Sequence, residues 1–176
     1  MDFTVDLQGR VAVVTGAAGG IGRAVALQLA SSGADVAVTD VHERVEPLCE
    51  LAAEISAMGR KSIATTADVT DRADIDQLIG DVLNAFGAVD LLVNVAGVYL
   101  TDPIRKYSES AWDKTMAVNL KGPFLTCQAF SKVMCEQRQG NIINIASDSA
   151  IDVAEGDGPY ASDRKSVVSG LGGGVG

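Results

Sequence analysis

Short runs of consecutive apolar residues alternate along this chain with longer stretches whose apolar positions recur every three or four residues, the pattern of βαβ units feeding a parallel sheet. Five runs read as strands: 11–15, 36–40, 61–66, 89–94 and 141–147, the third the weakest. The first, Val11-Ala12-Val13-Val14-Thr15, is apolar up to its last residue, as a strand covered by helices on both faces must be. Between the strands, Ile21, Val25 and Leu29 repeat at four-residue spacing toward a stop near Gly33. Leu48, Leu51, Ala52 and Ile55 form an i, i+3, i+4, i+7 stripe ending at Gly59, and each glycine can take a left-handed cap conformation. Thr70 offers an N-cap oxygen to a helix with Ile75, Leu78, Ile79 and Val82 inward, and Asp71 and Asp74 suit its positive end. A long helical stretch runs from about Ser108 to Gln137, with Pro123 expected to kink or interrupt it and Trp112, Met116 and Leu120 read as a core stripe. A further helix opens at Tyr160.

The 47% hydrophobic content and the 19 glycines of these 176 residues fit one globular α/β domain rather than a disordered chain. The charge of −9, from 14 Lys+Arg against 23 Asp+Glu, repels phosphate backbones and argues against sequence-independent nucleic-acid binding. Cys49, Cys127 and Cys135 lack metal-ligand spacing and read as partly buried, reduced thiols. With no basic, apolar leader and no apolar run of ~18 residues, the expectation is a cytoplasmic protein with no membrane and no metal among its partners. The tail 162–176, rich in serine, glycine and valine, is expected to sustain neither helix nor strand. The domain is accordingly placed at 1–161, with 162–176 an atypical segment outside it.

Chemistry enters at the turn Thr15-Gly16-Ala17-Ala18-Gly19-Gly20-Ile21-Gly22 between the first strand and its helix. Glycines 16, 20 and 22 allow positive φ and close backbone approach, so that N–H groups opening the helix face a pyrophosphate. A glycine-rich turn alone could be structural, but a strand before and a helix after favour a nucleotide, and so a Rossmann-type doubly wound sheet. Asp40 ends the second strand 18 residues beyond Gly22, where a carboxylate accepts both ribose hydroxyls and repels a 2′-phosphate. Neither Gly19 nor Val41 is basic, so NAD is favoured over NADP. His42, the single histidine, reads as solvated.

Taken together, Thr15-Gly16-x-x-x-Gly20-x-Gly22, Asp68-Val69-Thr70, Asn94-Val95-Ala96-Gly97, Asn119, Ser147 and Tyr160 resemble, in order, the motifs of the short-chain dehydrogenase/reductase family, from Leu7 to about Ala161. The resemblance implies an NAD-dependent oxidoreductase that interconverts a secondary alcohol and a ketone by hydride transfer. It implies that Ile21, Asp68, Val69, Asn94, Ala96 and Gly97 join the glycines and Asp40 around the cofactor. Asn119, Ser147 and Tyr160 would form the chemical site: Ser147 as the donor that polarises a carbonyl, Tyr160 as the acid that protonates the alkoxide. A phenol of ordinary pKa ~10 needs a nearby cation for this work, and the family supplies a lysine four residues after the tyrosine.

Here position 164 is arginine and the lysine stands at 165, about 100° further round a regular helix. Either Arg164 substitutes, or a local insertion lets Lys165 reach inward, or the site is not competent; because arginine for lysine is not conservative, an impaired site is the expectation. The resemblance also implies later strands and a substrate-covering segment absent from this sequence, and hence a C-terminally truncated form, weakly stable, with the family's homo-oligomerisation in doubt. A reading-frame change, a truncated gene or an incompletely determined sequence would each account for the ending. The alternative function is an NAD-binding module or relic without turnover. Substrate identity is not legible.

Overall fold

The apolar runs become strands because each can be buried on both sides. The computed structural model describes residues 5–152 and 156–170. Their strands are β1 (Val11–Thr15), β2 (Asp35–Asp40), β3 (Ser62–Thr66), β4 (Leu91–Asn94) and β5 (Asn141–Asn144), all parallel and ordered β3-β2-β1-β4-β5. The helices are α1 (Gly20–Ser31), α2 (Val45–Ala57), α3 (Arg72–Phe86), α4 (Glu109–Met116), α5 (Gly122–Gln137) and α6 (Gly158–Gly170). The fold class is therefore the expected Rossmann-type α/β sheet.

Alternate residues of each central strand enter two different cores. Ala12, Val14, Val36 and Val38 pack with Ala26 and Ala30 of α1 and Leu48, Leu51 and Ile55 of α2. Val11, Val13, Ala37 and Leu92 pack on the opposite face with Leu78 and Val82 of α3 and Phe130 and Met134 of α5. Each such large side chain removed from water stabilises by roughly 1.5–3 kcal/mol. The direction of strand addition reverses between β1 and β4, so their carboxyl ends part and open a crevice between them.

Several local expectations are corrected. The inward stripe of α1 is Gly22, Ala26 and Ala30, one position beyond the expected one; Ile21 is 61% exposed, and Val25 and Leu29 only flank the core. Small residues win because the helix lies close upon β1 and β2. Asp71, not Thr70, caps α3, its carboxylate accepting from the Ala73 amide, while Thr70 donates instead to Asp68. The long stretch after Ser108 is interrupted by a π-helical turn, Ala117–Lys121, in the residues directly before Pro123. That proline stands in the first turn of α5, which continues the π-helical turn without a break.

Trp112 is exposed, and within α4 and the π-helical turn the buried residues are Thr115 and Asn119. Cys49 and Cys135 are exposed, and Cys127 is half-buried. Finally, residues 162–170 are helical in α6. Ala161, Asp163, Arg164 and Val167 bury one face of it, which outweighs weak intrinsic propensity; most of the glycines fall later, in 171–176, outside the described residues.

Candidate functional site

The turn after β1 is a backbone device. Gly16 has φ +65°, and a Cβ there would stand 2.7 Å from Ala96 N and Cα. A Cβ on Gly22 would meet the Gly16 carbonyl oxygen at 2.1 Å, so the turn closes on its own helix as tightly as two backbones allow. At Gly20, with φ +54°, a Cβ would find open space within 4 Å; there the backbone faces the crevice. Thr15 supplies a contact not foreseen in the motif: its buried hydroxyl accepts from the amides of Val95 and Ala96, both at 3.1 Å, and so locks the end of β4 to the end of β1.

Asp40, at the tip of β2, accepts from the Ala18 amide at 3.0 Å with one oxygen and from the Val41 amide at 2.9 Å with the other. The crevice, about 930 Å³, is lined by Gly16, Gly20, Ile21, Gly22 and Asp40, with Asp68, Val69, Ala96 and Gly97 across from them; that volume lies within the range of small-molecule and cofactor sites. The displaced Ile21 thus belongs to the crevice rather than to the core. An open amide cradle at a helix N-terminus, with a carboxylate at the next strand's end, fits the phosphates and ribose of a dinucleotide.

Asn94 does not line this crevice. It is buried, donating to Asn144 Oδ1 at 2.8 Å and accepting from the Thr126 hydroxyl at 2.9 Å, and so ties β4 to β5 and α5. Cys127 approaches the same pair of asparagines. Burial pushes its thiol above the ordinary value, opposed by its hydrogen bonds to Asn144 and from Asn94. His42 is exposed, 2.6 Å from the Thr66 hydroxyl and 3.4 Å from Asp74.

On the other side of β4 the site is made by side chains. Asn119 is fully buried in the π-helical turn; it accepts from Val98 N and donates to Val98 O, both at 2.8 Å, and donates to Asp163 Oδ2 at 2.9 Å. A π bulge is the usual means of turning one side chain out of a helix's regular spacing. Tyr160, on α6, packs edge-on against Tyr99 with ring centroids 4.9 Å apart. One helical turn later, the Arg164 guanidinium lies 5.0 Å from the centroid of the Tyr160 ring. It donates to Ile145 O at 3.0 Å and stands 3.1 Å from where a Cβ on Gly97 would be. Lys165 is exposed. With α6 regular, the residue four after the tyrosine points inward and its neighbour points out.

Ser147, just past β5, donates to Asp148 at 2.9 Å and accepts from the Ser149 amide at 3.2 Å. Asp157, buried, takes the Tyr99 hydroxyl at 2.8 Å, and this contact holds the Tyr99 phenol above its ordinary pKa.

Sequence reasoning passed over Asp163. It is fully buried, with Oδ1 2.7 Å from Arg164 Nε but not aligned as a hydrogen bond. Burial raises its carboxyl above the ordinary value, opposed by Asn119 and by the Arg164 charge. The signal was available: an acid beside an arginine at the expected cation position.

The family model described as short chain dehydrogenase matches residues 10–171. D-threitol dehydrogenase of Mycolicibacterium smegmatis is 39% identical over 168 residues, and the NAD-dependent glycerol dehydrogenase of Listeria innocua is 33% identical over 168 residues. Each alignment covers 96% of this chain, which spans 64% of the length of either relative. A crystal structure of a dehydrogenase/reductase from Sinorhizobium meliloti 1021 superposes with a TM-score of 0.87 at 33% identity, covering 94% of this chain and 65% of that one.

Proposed function

The chain belongs to the short-chain dehydrogenase family, and from that premise we propose that it serves an oxidoreductase that interconverts a secondary alcohol and a ketone, with NAD as the preferred nicotinamide cofactor. The observation that carries the proposal is the placement of Tyr160 and Arg164 one turn apart on α6, the guanidinium 5.0 Å from the ring and beside Gly97 of the glycine-lined crevice. The preference for NAD rests on the Asp40 carboxylate, which would accept ribose hydroxyls and repel a phosphate in their place. A relative whose name includes NAD dependence agrees with it.

When bound, the nicotinamide supplies or takes up the hydride. The Tyr160 hydroxyl passes its proton to the oxygen of the reacting carbon, or takes the proton back in the reverse direction. Arg164 compensates the charge left on the tyrosine oxygen, acting across the ring face and held there by the Ile145 carbonyl. It thus fills the place of the expected lysine, and Lys165 does not. Ser147, turning from Asp148, donates to the substrate oxygen where negative charge develops. Asn119 acts as a positioning residue: its three hydrogen bonds join the segment after β4 to the π-helical turn and to α6.

Tyr160→Phe tests the reading. Turnover, followed in the nicotinamide absorbance band with a panel of polyols and ketones, should fall roughly 10²–10⁴-fold, while the calorimetric NAD affinity stays within about twofold. Equal turnover by the two proteins would overturn the chemistry. Absence of saturable NAD binding to folded protein would overturn the cofactor seat, and binding without any turnover would favour a non-catalytic nucleotide-binding module.

A further inference from the structure

A cation stands at the adenosine end of the crevice that motif reading does not find. Arg44 closes the short 3₁₀ turn His42–Arg44 that follows β2. It is exposed, yet its Nη2 donates to the Ala18 carbonyl at 3.2 Å and lies 3.3 Å from where a Cβ on Gly19 would sit. Asp40 holds the amide of the same Ala18 at 3.0 Å. One residue of the glycine-rich turn is thus gripped by a carboxylate and by a guanidinium, and both side chains line the crevice. Among the described residues no ion pair joins Arg44 to Asp40 or to Glu43, so its charge is left facing the crevice.

A guanidinium carries five N–H donors in a plane, and only one of Arg44's is engaged by Ala18. The others match the oxygens of a phosphate monoester, which arginine binds in bidentate fashion. The two nicotinamide dinucleotides differ by such a group on the adenosine ribose, the part of the cofactor that Asp40 is read to contact.

Resting on the reading that this crevice seats a nicotinamide dinucleotide, we infer that Arg44 is a second determinant of cofactor choice, a phosphate-accepting cation whose effect Asp40 masks. The chain is then one substitution from accepting a 2′-phosphate, with no new basic residue required. Gly19 contributes by its lack of a side chain, since a Cβ there would crowd the guanidinium at 3.3 Å.

Calorimetric titration of NAD and of NADP into the wild-type chain, Asp40→Asn, Arg44→Ala and the double variant decides it. Asp40→Asn should tighten NADP binding about tenfold or more and weaken NAD; the double variant should lose that gain. Arg44→Ala alone should widen the existing discrimination against NADP by about threefold to tenfold. A gain that persists in the double variant would overturn the inference and leave Asp40 as the sole determinant. If Asp40→Asn does not fold, Asp40→Ser keeps an oxygen for the Ala18 amide and repeats the comparison. A wild-type chain that is folded but binds neither nucleotide refutes the cofactor seat itself. One that binds NAD while Arg44→Ala changes neither affinity refutes only the role of Arg44.

Discussion

The two halves of the site are built by different means. Around β1, α1 and β2, geometry is held by backbone: Gly16 against Ala96, Gly22 against Gly16, and the Thr15 hydroxyl beneath two amides. Around β5 and α6 it is held by side chains: Asn119, Asp163 and Arg164 are buried together, and Tyr160 leans on Tyr99 and under the guanidinium. The first half is buried between two helical layers, whereas β5 is one of the two edge strands among the described residues, with Ile143 43% exposed. In the backbone-made half, Gly16 and Gly22 leave no room for a Cβ. In the half made by side chains, the buried Arg164 has the buried carboxylate of Asp163 directly beside it.

This contrast can be broken at several points. Arg164→Met should have the largest effect, a loss of about 3–5 kcal/mol in urea unfolding at pH 7, because Asp163 would be left as an uncompensated buried charge. The loss should shrink in acid, where the carboxyl is neutral. A loss equal at all pH values would show that the arginine acts by packing alone. Gly22→Ala comes next, at about 3 kcal/mol, since one methyl would overlap a carbonyl oxygen with no flexible neighbour to yield. It should also abolish calorimetric nucleotide binding; a stable Gly22→Ala variant that binds NAD would remove the case for a backbone-made turn. Thr15→Val, nearly isosteric, should cost about 2 kcal/mol by orphaning the amides of Val95 and Ala96. An unchanged unfolding midpoint would mean that those amides find other partners.

The smallest effect is a slope. Because the folded-state carboxyl of Asp163 lies above its ordinary value, the folded chain holds that proton more tightly than the unfolded one. The stabilisation is complete below the unfolded value, 3.8, and is lost as pH rises through the raised folded value. Asp163→Asn removes this dependence, so the stability of the variant relative to wild type should increase with pH across that interval. Parallel curves in pH-dependent urea unfolding would refute the assignment.

How much of this was legible follows the same division. The glycine turn, Asp40, the five strands and their order of appearance could be read because each leaves a local mark: an apolar run, a glycine where a Cβ has no room, an acid at a strand's end. The faces of the helices were less legible. On α1, spacing selected the large residues Ile21, Val25 and Leu29, but close approach to the sheet selected Gly22, Ala26 and Ala30. Trp112 looked like core and is exposed, while Asn119 in the same segment is buried, because a π-helical turn shifts the register in a way that periodicity does not encode. Asn94 was grouped with its motif neighbours around the cofactor, yet alternation along β4 sends its side chain to the opposite side.

The order of residues alone settled the family and the parallel α/β architecture, and marked the glycine turn as the place to look for a nucleotide, since these depend on patterns that act within a few residues. Only the tertiary structure turned Arg164 inward and Lys165 outward, brought Asp163 against Arg164 and placed Arg44 over the glycine turn. Those choices depend on which face of a helix meets its neighbours and on what a long side chain finds within reach. Both are set by packing between segments far apart in the chain.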